Sequence, residues 1–330
     1  MKAYAKKILP NSMVGLIKSC LQIMRLAKDY GYDLLIFHKY NGAKTYRSIA
    51  QLEGRIIAHY HVLEKGLSHP SPKDGFGIGV AENLVRLIDE YDELSPNRPI
   101  QVRTAVSVLY KYKDSPSNDG HLPAHLIKSI ENLEVSHSGN SGSLTFKKEA
   151  YFSSSDASFG EFCLSRYSVR DFSKENVSIE VIKDAIKLAQ KTPSVCNRQT
   201  CKAYVLTETS EIRRHLMLQN GNRGFGEKID KLIIVTSDLS CFEGSTERNQ
   251  AFVDGGMFAM SLLYGLHYKK LGAVALNWSY DSAQDRELHR LGIIPRNEKV
   301  ILFIGVGHPS SEFKVAASCR RDIGEVAKII

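Results

Sequence analysis

The chain has 330 residues, 43% hydrophobic and 24% charged, the proportions of a soluble globular protein with two domains or one elaborated one. No run of about 18 uninterrupted apolar residues occurs, which excludes a transmembrane helix. The lysine-bearing first ten residues lack the apolar core and small-residue cleavage site of a secretory signal. The net charge of +8, divided as +5 up to residue 150 and +3 beyond it, favours an anionic ligand. With no basic stripe interleaved with aromatics, nucleic acid is not an expected partner.

In chain order, Met13, Leu16, Ile17, Leu21, Met24 and Ala27 recur at three- and four-residue steps and predict an amphipathic helix. Lys2, Lys6, Lys7, Lys18, Arg25 and Lys28 accompany it. That stripe permits a membrane-surface helix, but packing of the apolar face on its own domain is the expectation. A second helix is predicted over 45–66, with Ile49, Leu52, Ile56, Ile57, Tyr60, Leu63 and Leu67 on one face and Gly66 as its stop signal. His61, Glu64 and Lys65 make it too charged for pure core. His61 and Glu64 share a face, but His59 lies about 200° from His61, so a metal site is not expected. Further helices over 80–94 and 99–112 complete a helical N-terminal domain, residues 1–150. The serine- and glycine-rich stretches 136–143 and 153–156 read as turn and linker chemistry, and the second domain follows as 151–330.

There, β-rich apolar runs at 203–206, 232–235, 273–276 and 300–304 alternate with helices at roughly 178–191, 210–219, 247–269 and 281–292. The result is an α+β or α/β layer around a long apolar helix bearing Phe252, Met257, Phe258, Met260, Leu263 and Leu266. The glycine-rich stretches 75–79 and 221–226 are loops, because neither follows a strand into a helix as a dinucleotide fingerprint must. Cys20, Cys163, Cys196, Cys201, Cys241 and Cys319 form no C-x-x-C pair and read as free thiols of a cytoplasmic protein.

Three clusters carry candidate chemistry. Arg166, Ser168 and Arg170 alternate, so an extended backbone points all three to one side. Two rigid guanidinium forks and a hydroxyl suit a phosphate, although a solvated edge strand has the same pattern. Residues 193–199 follow a helix and expose the amides of Asn197 and Gln199. Such groups suit a planar heterocycle with alternating donors and acceptors, or simply a polar loop. Cys319-Arg320-Arg321-Asp322 adds a remote pair of arginines, read alone as a basic tail.

Taken together, the clusters resemble the nitroreductase family of flavoproteins over roughly residues 160–330. Arg166, Ser168, Arg170 and Phe172 match R-x-S-x-R-x-F, and Pro193, Ser194, Asn197 and Gln199 match P-S-x-x-N-x-Q. The Val306-Gly307-His308-Pro309 stretch before terminal arginines agrees. The resemblance implies an α+β fold with a central mixed or antiparallel sheet, flanked by helices around a long central helix. It implies flavin mononucleotide (FMN) as cofactor, NADH or NADPH as reductant, a small electron-poor acceptor, and a homodimer with flavin at its interface. Arg166, Tyr167, Ser168 and Arg170 would hold the phosphate and ribityl end, Arg321 or Arg320 would complete the clamp, and Asn197 and Gln199 would meet the ring or ribityl chain. Leu276 and Asn277 would stand near the flavin N5, where family members often carry a proline and a glutamate. That departure leaves a catalytically idle binding or assembly module as the alternative. The predicted helix at 45–66 is expected to cover the pocket, with His61 and Lys65 toward substrate.

Overall fold

The computed structural model describes residues 10–40, 48–95, 97–134, 141–242 and 244–330. Lys2, Lys6, Lys7 and the serine-rich stretch 136–140 lie outside them. The elements run α1 (Asn11–Tyr40), α2 (Ile49–Leu67), α3 (Ile78–Leu94), α4 (Ile100–Lys113), α5 (Ala124–Glu131), β1 (Ser143–Lys147), α6 (Lys148–Tyr151), α7 (Phe159–Ser165) and α8 (Ile179–Ala189). Then follow β2 (Cys201–Leu206), α9 (Thr209–Leu216), β3 (Lys231–Asp238), α10 (Gln250–Tyr268), β4 (Gly272–Asn277), α11 (Ser282–Arg290), β5 (Glu298–Gly307), β6 (Glu312–Ala316) and α12 (Ile323–Val326).

The first core belongs to α2–α5. Ser48 caps α2 by accepting from the Gln51 amide. Leu52, Ile56, Tyr60, Leu63 and Leu67 then pack on Leu84, Leu87, Ile88, Val106 and Leu109. The predicted apolar stripe of this helix is its buried face, except at Ile49, which is exposed, and Ile57, which is half-buried.

The second unit is an α+β layer. Its four-stranded sheet has the order β2-β3-β5-β4 with every pair antiparallel. Residues 231–237 of β3, at the centre, are all buried, which is why the sequence shows a continuous apolar run rather than an alternation. Helix α10 crosses one face and packs on α8, its Phe258, Leu262, Leu263 and Leu266 meeting Ile233, Val235 and Ile304. Gly265 sets that spacing: a Cβ there would stand 2.7 Å from the Ala185 carbonyl oxygen, a backbone atom that cannot swing aside. Gly265→Ala is therefore expected to destabilise the fold by about 1–3 kcal/mol despite the helix preference of alanine. Urea unfolding followed by fluorescence of Trp278, the sole tryptophan, checks this.

Two features depart from expectation. The serine-rich region contains structure: β1 pairs antiparallel with β6, Ser143 opposite Ala316 and Lys147 opposite Glu312. Helix α2 lies against both strands, so this small sheet is where the two units meet. Second, α1 does not bury its apolar stripe on its own domain. Met13, Leu16, Ile17, Leu21 and Met24 are all exposed, and among the described side chains of α1 none joins any of the three apolar cores. Its contacts come instead from the side bearing Lys18, Leu21, Gln22, Arg25 and Asp33. No helix among the described residues is long and apolar enough to cross a membrane.

Candidate functional site

The segment after α7 is extended, tied to the sheet where the Val169 amide donates to the Ala273 carbonyl (3.0 Å). Val169 turns into the core, fully buried. The alternation then sends Arg166, Ser168 and Arg170 the other way, as the spacing predicts. All three line one cavity of about 320 Å³, together with Tyr167, Ser318, Cys319 and Arg320. Its remaining wall comes from α2 of the other unit, through Ile57, Tyr60 and His61.

Three guanidinium groups, an imidazole and two serine hydroxyls thus converge, and no carboxylate among the described residues lines the cavity. Burial pushes the Arg170 guanidinium down to about 10, with the Glu64 charge opposing the shift. Burial and the Arg170 charge together push the Lys65 ammonium down. Cations held this way are costly without a counter-ion, and a phosphate dianion on the three arginines would supply one.

Behind the wall, Glu64 is 0% exposed. Its Oε2 lies 3.3 Å from His61 Nδ1, while Oε1 has no hydrogen-bond partner among the described residues. Tyr60 donates its hydroxyl to Gln101 Oε1, and Gln101 in turn reaches the Cys319 carbonyl at 3.5 Å. These contacts fasten α2 to the 318–320 segment.

Of the two candidate terminal arginines, Arg320 reaches the cavity. Arg321 is engaged by Glu53 (3.0 Å) and Glu325 (2.7 Å). Asn197 and Gln199 do not join the arginines within one chain. Gln199 lines a separate cavity of about 100 Å³ with Ser194, Cys201, Asp254 and Phe258. Two hydrogen bonds tie the loop down: Asp254, 1% exposed on α10, accepts from the Val195 amide at 3.2 Å, and Ser194 Oγ accepts from the Gln199 amide at 2.9 Å. Arg198 is paired with Glu247 at 2.6 Å. Leu276 and Asn277 sit at the end of β4, Leu276 buried and the Asn277 carbonyl accepting from Gln219 (3.1 Å).

Sequence reading missed Ser318 and the wall residue Tyr60. Backbone strain marks the first of these. Cys196, Asn197, Gln199 and Ser318 all have left-handed φ of 51–54°, and such residues cluster at functional sites. No local sequence signal announces them, since none is glycine.

The family model described as Nitroreductase family matches residues 163–236. That span contains both the Arg166–Ser168–Arg170 segment and the loop bearing Asn197 and Gln199. The chain is therefore nitroreductase-like there. Among solved structures, it is similar to a nitroreductase family protein from Streptococcus pneumoniae (18% identity, 52% of this chain and 100% of that one, TM-score 0.45). It is also similar to a candidate nitroreductase from Desulfovibrio desulfuricans solved with FMN (22%, 51% and 93%, 0.44), and to a nitroreductase-like protein from Streptococcus mutans (18%, 52% and 97%, 0.45). None of the curated proteins matches the chain.

Proposed function

We propose that the protein is an FMN-dependent oxidoreductase of nitroreductase type, passing hydride from NADH or NADPH to an electron-poor small molecule such as a nitro compound, a quinone or a biosynthetic intermediate. The observation that carries this reading is the convergence of Arg166, Ser168, Arg170 and Arg320 on one cavity that no carboxylate among the described residues lines. When bound, FMN would supply the hydride-accepting and hydride-donating ring, and the protein would supply position and electrostatics. Arg166, Arg170 and Arg320 would neutralise the phosphate, and the Ser168 and Ser318 hydroxyls would donate to its oxygens. Helix α2 would close the phosphate end, with His61 at the wall and Lys65 behind it, and so restrict what else enters. Asn197 and Gln199 would meet the flavin from a second protomer, which reconciles their distance from the arginines in one chain with the two-motif pattern. The six free cysteines suit a reducing, cytoplasmic setting.

A second reading, a binding or assembly module on the same fold, draws on residues 276–278. Asn277 has its carbonyl occupied by Gln219, and Trp278 is stacked on Phe303 at 5.0 Å, an arrangement that serves packing. Purified protein separates the two readings. A yellow preparation with a flavin spectrum that NADH or NADPH bleaches is the expected result. Colourless protein that FMN cannot reconstitute overturns the enzyme reading in favour of the module.

A further inference from the structure

The wall that α2 gives the arginine cavity consists of Ile57, Tyr60 and His61. Ile57 is apolar, and the Tyr60 hydroxyl is already committed to Gln101. Of these three, His61 alone has a polar atom to offer a guest. Its Nδ1 is engaged behind the wall by Glu64 Oε2, and its Nε2 makes no hydrogen bond among the described residues. Glu64 interrupts the apolar face of α2, four residues after Tyr60 and three before Leu67, both of them core. It is fully buried, its Oε1 has no partner, and His61 is its only ion-pair partner among the described residues. A carboxylate buried this way weakens a fold, and an apolar side chain would suit that face of the helix better. Packing does not account for Glu64; the imidazole it holds does.

We propose that His61 is a further ligand of the phosphate held by Arg166, Arg170 and Arg320, and that Glu64 is the positioning residue behind it. A carboxylate can only accept hydrogen bonds, so the Nδ1 facing Glu64 carries a proton, and that bond leaves Nε2 for the cavity. The ionisable groups at this wall are Tyr60, Glu64 and Lys65 on α2, Arg166, Tyr167 and Arg170 on the extended segment, and Cys319 and Arg320 near the C-terminus. The arginines disfavour another cation beside them, and the Glu64 charge favours one. A phosphate dianion on the arginines cancels the first effect and leaves the second. His61 then carries both ring protons, one donated to Glu64 and the other, drawn from solvent, donated to a phosphate oxygen. All three arginines come from the second unit, so this bond is what ties the helical unit to the guest. The inference rests on the flavin reading for the source of the phosphate; the His61–Glu64 pair itself requires only that a phosphate be there.

The test measures binding of FMN, riboflavin and inorganic phosphate to the full chain by calorimetry, with urea unfolding of each variant followed through Trp278. His61→Ala is expected to lose roughly 10-fold in FMN affinity and to change riboflavin affinity by about twofold at most. Because it leaves Glu64 buried without a partner, Glu64→Met, which nearly keeps the side-chain volume, is the second variant. It should unfold no earlier than wild type yet lose FMN affinity to a similar extent, a divergence that a merely structural carboxylate would not give. Adding His61→Ala to Glu64→Met should lower affinity further by about twofold at most, since the two residues act as a unit. NMR of histidine-labelled wild type, with the His61 ring assigned by its absence from the His61→Ala spectrum, should show both ring nitrogens protonated when FMN is bound. Additive losses, equal losses for FMN and riboflavin, or an unprotonated Nε2 in the FMN complex each overturn the proposal and leave the flavin reading standing. Wild type that binds inorganic phosphate through His61 but neither flavin keeps the proposal and ends the flavin reading. Wild type that binds none of the three overturns both.

Discussion

Replacing Arg166 by alanine is expected to weaken FMN binding by roughly 10- to 100-fold while leaving the unfolding midpoint nearly unchanged. Arg166 is half-buried on the cavity wall and makes no ion pair among the described residues, so its removal strands no buried partner. A hydrogen bond to a charged group contributes about 1.5–3 kcal/mol, and each 1.4 kcal/mol is tenfold in affinity. Fluorescence quenching titrations with FMN and riboflavin give the decisive comparison. The loss should be large for FMN and small for riboflavin, which has no phosphate. Equal losses for the two ligands would remove Arg166 from the phosphate end.

The second large effect concerns acid. His267, on α10, is 2% exposed, and burial pushes its imidazole down to about 4, with the nearby Arg166 charge adding to the shift. It bonds Ser165 Oγ at 2.8 Å and sits 5.1 Å from the Tyr151 ring and 5.2 Å from that of Phe162. The unfolded chain takes up a proton near pH 6.5 that the folded chain refuses until about pH 4. The stability from this group is thus complete above pH 6.5 and is lost as pH falls toward 4, about 3 kcal/mol in all. Burial shifts His215 and His308 the same way, so they add to the slope. Urea unfolding between pH 7.5 and 5 should show wild type weakening more steeply than His267→Gln. Parallel curves would contradict the buried, neutral imidazole.

The strands of the large sheet were legible because each is a short apolar run of β-branched and aromatic residues, and a central strand such as β3 has no solvent face to interrupt it. The one-sidedness of Arg166, Ser168 and Arg170 was legible for the same local reason, a period of two. The pairing of β1 with β6 was not, because Ser143 and Ala316 are neighbours only across most of the chain and nothing nearby in sequence specifies the partner. Tyr60 read as one more member of an apolar stripe, and its ring is indeed core, yet it also walls the cavity. Helical periodicity revealed that α1 has an apolar face; it carries no information about which surface that face meets. Arg320 and Arg321 are indistinguishable as residue types, and only the position of Glu53 on α2 assigns one of them to an ion pair.

A pocket with walls drawn from two separately cored bodies takes its width from the seam between them. Here the seam is the rest of α2 on the β1–β6 ribbon, reinforced by the Arg321–Glu53 pair. The distance between the arginines and Ile57, Tyr60 and His61 is consequently set by how α2 rests on that ribbon. Residues along that line of contact are therefore placed to alter the width of the cavity without touching the arginines.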